Sequence, residues 1–116
     1  MSKRDPIIAL RHMLSHAEEA VSLAQGRTRS DLDTDRMLNL ALTRLLEVVG
    51  EAAGRVPKEQ CESHPEIPWP QIVSLRNRLI HGYDSVDFDI LWQILVNDLP
   101  PLIISLKLMI AAEYPD

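Results

Sequence analysis

A chain of 116 residues, 46% hydrophobic and 25% charged, is sized and balanced for one globular domain around one core. Aromatic residues make up only 4%, so the core must be mostly Leu, Ile, Val and Ala, which favours packed helices over a sheet. The net charge of −5 argues against a broad nucleic-acid-coating surface, and leaves room for a small basic site. Nine of the twelve Lys and Arg lie at or before Lys58, and two of the remaining three are Arg76 and Arg78.

A first helix is expected from Asp5, with Pro6 at its first position, where a missing N–H costs nothing. Ile7, Leu10, Leu14, Ala17, Val21 and Ala24 form one apolar stripe, and Gly26 ends the helix. The polar segment 27–33 reads as a connection. A second helix begins around Asp31 to Thr34, any of which suits an N-cap. It carries two apolar stripes: Leu38, Ala41, Leu45, Val48 and Ala52, then Leu42, Leu46, Val49 and Ala53. A helix apolar on two sides is either central to the bundle or meets a second chain. Gly50 weakens it by about 1 kcal/mol against Ala, and a close helix approach there would be the reason to keep it. The segment 55–68 holds Pro57, Pro65 and Pro68 and reads as a loop with a short turn at Lys58 to Ser63. A third helix is predicted from Trp69–Pro70 to His81, buried through Ile72, Leu75 and Leu79 and capped by Gly82. Asp87 caps a fourth helix through Phe88, Leu91, Leu95 and Leu99. Pro100 and Pro101 either kink it or separate it from a last helix, Leu102 to Glu113. The expected product is an all-α, antiparallel bundle of four to five helices forming a single domain over 1–116.

Cys61 is the only cysteine, so no intramolecular disulfide can form and a reducing cytoplasm is the expected location. The N-terminus lacks the long apolar segment of a signal peptide, and no apolar run approaches the roughly 18 residues that span a bilayer, so no membrane partner is expected.

The stretch Leu75-Arg76-Asn77-Arg78-Leu79-Ile80-His81-Gly82-Tyr83-Asp84 concentrates the chemistry. Cations at a helix C-terminus offset the helix dipole, and that alone is a sufficient structural account. The chemical account is sharper. An imidazole moves protons near neutral pH, and a guanidinium holds a phosphate and stabilises charge building on phosphorus. An RNA strand brings its own nucleophile, the 2′-OH, so such a pair needs neither metal nor cofactor. On one regular helix Arg76 and His81 lie roughly 140° apart, which calls for a swung arginine or for groups from a second chain.

The stretch Arg76 to His81 resembles the Arg-x4–6-His signature of the HEPN superfamily of helical bundles. Leu46-Glu47-Val48-Val49-Gly50-Glu51-Ala52-Ala53, His64-Pro65-Glu66-Ile67-Pro68-Trp69, the run from Arg76 to Tyr83, and Asp98-Leu99-Pro100 are similar to the HepT branch, in the right order over roughly 31–113. The resemblance implies a homodimeric toxin RNase of a toxin–antitoxin pair, metal-independent, with tRNA as a target class. Its partner would be an MntA-like minimal nucleotidyltransferase antitoxin. It implies Arg76 and His81 as the catalytic pair, Asn77 as orienting the site, and Tyr83 as the residue the partner AMPylates to silence the toxin. Arg78 is assigned to substrate binding. The alternative is a non-catalytic helical module that binds a nucleotide or a nucleotidyltransferase; the net charge favours it slightly, the intact Arg76, His81 and Tyr83 favour the RNase more.

Other residues invite weaker readings. His12 and His16 are four apart on a helix, a metal-binding spacing without a third ligand, and read as solvated. Glu47 and Glu51 share that spacing, but no Glu-x-x-His motif completes a di-metal bundle. Glu51 could pair with an arginine near the dimer site. Trp69 and Trp92 read as packing residues, His64 as a local loop contact, and Cys61 as structural.

Overall fold

A computed structural model of the chain describes residues 5–83 and 85–115. The first four residues of the N-terminal segment and Asp84, the last residue of the quoted stretch, lie outside the described residues.

Helix α1 (Pro6–Ala24) starts as its sequence demands: Asp5 stays extended, its carboxylate accepts the Ile7 N–H at 3.1 Å, and Pro6 opens the first turn. Its buried line is Ala9, Leu10, Met13, Ala17 and Ala20, rotated slightly from the expected stripe, so that Leu14, Val21 and Ala24 end half-buried. Gly26 follows with φ +73. The expected connection contains a single turn, α2 (Asp31–Thr34), whose Leu32 is fully buried and whose carbonyl accepts the buried Asn39 amide at 2.9 Å.

Helix α3 (Arg36–Ala53) is the central element, packing against α1 and against the segments after residue 68. Asp35 caps it by accepting the Leu38 N–H at 3.0 Å. Leu42, Leu46, Val49 and Ala53 form the deep stripe; of the second stripe, Leu38 and Ala52 are buried and Ala41, Leu45 and Val48 half-buried. A Cβ on Gly50 would stand 2.9 Å from the Ile72 carbonyl oxygen and 3.6 Å from Leu75 Cβ. The close approach expected at Gly50 is therefore real, and it seats the region that carries Arg76.

The proline-rich loop holds α4 (Lys58–Ser63). His64 faces Glu66 at 3.4 Å and Glu113 at 3.5 Å, so it bridges this loop to the end of the chain's last helix. The third helix departs from expectation. It is two short pieces, α5 (Trp69–Val73) and α6 (Leu75–Leu79), and it stops before His81. Ile80 turns extended (φ −108, ψ 119), and Ile80–His81 (β1) pairs antiparallel with Ser85–Val86 (β2). The Asp87 N–H bonds the Leu79 carbonyl at 2.8 Å, taking the end of α6 into the hairpin. Gly82 is thus no helix cap: with φ +80 it turns the hairpin.

The two prolines do not separate a last helix from the fourth. Helix α7 (Phe88–Gln93), a π segment (Ile94–Asp98) and α8 (Leu99–Glu113) run as one 26-residue helix. The Leu99 N–H bonds the Ile94 carbonyl, one residue further back than in an α-helix. That wider turn places Pro100 and Pro101 at the opening of a fresh α segment, where no N–H is required. The helix is apolar enough to cross a membrane by length and composition, an 18-residue window of it having mean hydropathy 1.7. Here Leu91, Ile94, Leu95, Leu99, Leu102, Leu106 and Met109 bury one side of it in the helical core.

Candidate functional site

The corner formed by α3, α6 and the hairpin collects the chemistry. Leu75 and Leu79, at 3% and 0% exposure, nail α6 to the core. One turn apart on the helix, they turn Arg76 and Asn77 outward. Arg76 remains 63% exposed, yet its Nε reaches Glu47 Oε2 on α3 at 3.2 Å; the Glu47 side chain is only 18% exposed. A carboxylate on Nε orients the guanidinium and leaves both terminal nitrogens for a phosphate. Arg44 adds a second guanidinium on the same line of α3, 3.4 Å from Glu51.

His81 sits on β1, outside the helix that sequence periodicity gave it, and is 61% exposed. Its Nε2 faces Asp87 Oδ2 at 3.8 Å. The helical angle between Arg76 and His81 no longer applies, because the chain changes direction at Ile80 between them. No hydrogen bond joins the two among the described residues: Arg76 leans on α3 and His81 on the start of α7. Asn77 is exposed on α6 between them. Tyr83 occupies the hairpin tip at 96% exposure, the most exposed of the large hydrophobic side chains.

Arg78 goes elsewhere. Two residues beyond Arg76 on a helix, it points to roughly the opposite side, about 200° round. There it faces Asp98 of the π segment at 3.7 Å and lines a groove of ≈ 460 Å³ with Ile72, Leu75 and Leu99. Arg76 thus meets Glu47 of α3, His81 meets Asp87 at the start of α7, Asn77 and Tyr83 stand exposed on the same stretch of chain, and Arg78 turns to Asp98.

The remaining expectations fall as follows. Glu51 pairs with Arg44, while Glu47 is the carboxylate that meets Arg76. His16 Nδ1 lies 2.8 Å from the His12 carbonyl, and the two rings stand edge to face at 6.0 Å. Among the described residues no three His, Cys, Asp or Glu side chains gather as a metal site. Trp69 is buried, its Nε1 donating to the His64 carbonyl at 3.0 Å, and Trp92 packs half-buried against the core. Burial pushes the Cys61 thiol up, which keeps it protonated and inert. Glu47 and Asp87 are the residues sequence reasoning missed as site components. Glu47 lies 29 residues from its partner, and Asp87 was legible only as a helix cap.

The sequence profile described as ribonuclease HepT-like matches residues 10–109. The chain belongs to the HepT-like ribonuclease family. Its curated relatives agree. A protein of Caldanaerobacter subterraneus subsp. tengcongensis, provisionally named an RNase, is 34% identical over 90% of this chain and 93% of its own. A provisionally named RNase of Methanocaldococcus jannaschii is 33% identical over 88% of this chain and 94% of its own. A protein of Thermococcus cleftensis provisionally named ribonuclease HepT is 37% identical over 77% of this chain and 84% of its own. No solved structure matches the chain at a significant level. The match spans Glu47, Arg76, His81, Tyr83 and Asp87 alike, so the whole corner lies inside the matched region.

Proposed function

We propose that this chain is the RNase toxin of a toxin–antitoxin pair and cuts RNA, with tRNA as the target class, without a metal ion. One observation carries the reading: Arg76 and His81 are both solvent-facing on consecutive elements, and each is backed by a carboxylate from a neighbouring helix start or face. His81 takes the proton of a ribose 2′-OH as O2′ attacks the adjacent phosphorus. The Arg76 guanidinium stabilises the charge gathering on the phosphorane oxygens, and Asn77 orients the phosphate. The P–O5′ bond breaks, the proton passes to O5′, and the products are a 2′,3′-cyclic phosphate and a 5′-OH. The direct test is cleavage of bulk tRNA by purified protein in excess chelator. Wild type is expected to cut, and Arg76→Ala and His81→Ala each to lose about 10²–10⁴-fold. An uncut substrate with wild type, or full activity in both variants, contradicts the reading.

The exposed hairpin tip supports control by an MntA-like nucleotidyltransferase. The Tyr83 hydroxyl is reachable by a second enzyme. Its oxygen would attack the α-phosphorus of ATP, release pyrophosphate and lose its proton, leaving an AMP anion beside Arg76 and His81. Intact mass after co-expression with such an enzyme should gain AMP in wild type and not in Tyr83→Phe. A homodimer is supported by Met37 (82% exposed) and Leu40 (51%), which share an outward line of α3 with Arg44 and Glu47. A two-fold axis along that line brings two Arg76/His81 sets together, and sedimentation of wild type against Leu40→Asp reads it.

A further inference from the structure

We propose that Asp87 is a positioning residue for His81: it fixes which imidazole nitrogen carries the proton, and so which nitrogen acts as the base. The inference rests on the RNase reading above and extends it to a residue outside the Arg-to-Tyr motif.

Three observations place Asp87. Its backbone N–H bonds the Leu79 carbonyl at 2.8 Å, which ties it to the end of α6. Its Oδ1 accepts the Ile90 N–H at 3.1 Å, which makes it the N-cap of α7 and locks the carboxylate in place. Its Oδ2 then faces His81 Nε2 at 3.8 Å. The hairpin register explains the last contact. His81 pairs with Ser85, so position 87, still extended at φ −81 and ψ 100, is the diagonal neighbour two residues on. Diagonal neighbours project from the same face of an antiparallel pair. A residue held at two points, its backbone N–H and its Oδ1, is a fixed reference for a side chain that is otherwise 61% exposed.

The contact is longer than a hydrogen bond, and the proposal requires it to shorten when substrate binds. Its consequence is tautomeric. A carboxylate accepts and never donates at neutral pH, so it selects the ring with its proton on Nε2 and its lone pair on Nδ1. The nitrogen left to take the 2′-OH proton is then Nδ1. The carboxylate also stabilises the imidazolium that forms once the proton is taken, without itself receiving it.

Two substitutions separate this role from capping. Asp87→Ser keeps a good N-cap but is too short to reach His81. Asp87→Asn keeps both cap and reach. With its oxygen held by the Ile90 N–H, it presents its amide NH₂ to Nε2 and selects the opposite tautomer. Both variants should retain the wild-type helical circular dichroism signal. The expected result is a kcat lowered about 10–100-fold in Asp87→Ser and further in Asp87→Asn, with KM little changed. The ¹⁵N spectrum of neutral His81 should show Nε2–H in wild type, an averaged mixture in Asp87→Ser and Nδ1–H in Asp87→Asn. Full activity in both folded variants, or an unchanged His81 tautomer in Asp87→Asn, overturns the proposal while leaving an active wild type as an RNase. If Asp87→Ser does not fold, Asp87→Asn alone decides by the tautomer. If wild type does not cut RNA, the RNase reading falls, and the tautomer measurement still decides whether Asp87 controls His81.

Discussion

The α1–α3 pair and the α6–hairpin corner are held by different means. In the first, Leu10, Met13, Leu42 and Leu46 are at 0% exposure, on helices of 19 and 18 residues. Area removed from water fixes their places. In the second, α6 has five residues and each strand two, while Arg76, His81 and Tyr83 are 63%, 61% and 96% exposed. Here two buried leucines anchor the backbone, and single carboxylates face Arg76 and His81. The lesson is a division of labour: the long helices supply stability, and the short elements present groups that would gain nothing by burial. Substitutions should therefore separate cleanly into those that unfold the protein and those that only silence it.

The sharpest break in that division is Leu79→Ala. Leu79 lies in the functional corner yet is fully buried, so its truncation should cost about 2–5 kcal/mol in denaturant unfolding and take activity with it. A loss below 1 kcal/mol would mean the corner is not anchored by its leucines. Gly50→Ala comes next. Helix propensity favours Ala by about 1 kcal/mol, but the new Cβ meets a backbone carbonyl 2.9 Å away, and overpacking of about 1–3 kcal/mol should win. The variant should lose more RNase activity than its stability loss explains, since the shift moves α5 and α6. Gly82→Ala should cost about 1–2 kcal/mol, because φ +80 suits only glycine. No atom crowds a Cβ there, so the effect is conformational and should show as displaced His81 resonances with the core spectrum unchanged.

The smallest effect concerns pH and belongs to the stable half. The Leu38 N–H and then Arg27 hold the Asp35 carboxyl below its usual range. Its contribution is complete above the unfolded value of about 4 and disappears as pH falls through the lower folded value. Melting temperatures of wild type and Asp35→Ala should thus differ at pH 7 and converge as pH drops below about 4. A gap that persists unchanged into acid would show that Asp35's charge is not what matters.

The long helices were legible because periodicity speaks over many turns. The Asp5 cap, the buried stripe of α3 and the tight packing at Gly50 follow from local sequence, whereas the cap of α3 is Asp35, just past the 31–34 stretch expected to supply it, which forms a turn of its own. The end of the third helix was not legible. Leu79, Ile80 and His81 continue an acceptable helical pattern, and only the cross-strand partners Ser85 and Val86 pull Ile80 and His81 out of it. Pro100 and Pro101 left open a kink or a separation, and the helix runs on through a π turn just before them. The candidate residues Arg76, Asn77, His81 and Tyr83 were named through family resemblance, whereas their geometry was not legible. Glu47 meets Arg76 across two helices, Arg78 turns to Asp98, and Asp87 joins His81 through a hairpin that no periodicity announces.

The central claim is that Arg76 and His81 drive attack by the RNA's own 2′-OH. End-group analysis of RNA cut by wild-type protein in excess chelator, beside His81→Ala, tests it most directly. The account predicts 2′,3′-cyclic phosphate and 5′-OH ends from wild type and no cleavage above background from the variant. Ends bearing 3′-OH and 5′-phosphate, or the same cleavage from His81→Ala, would contradict it.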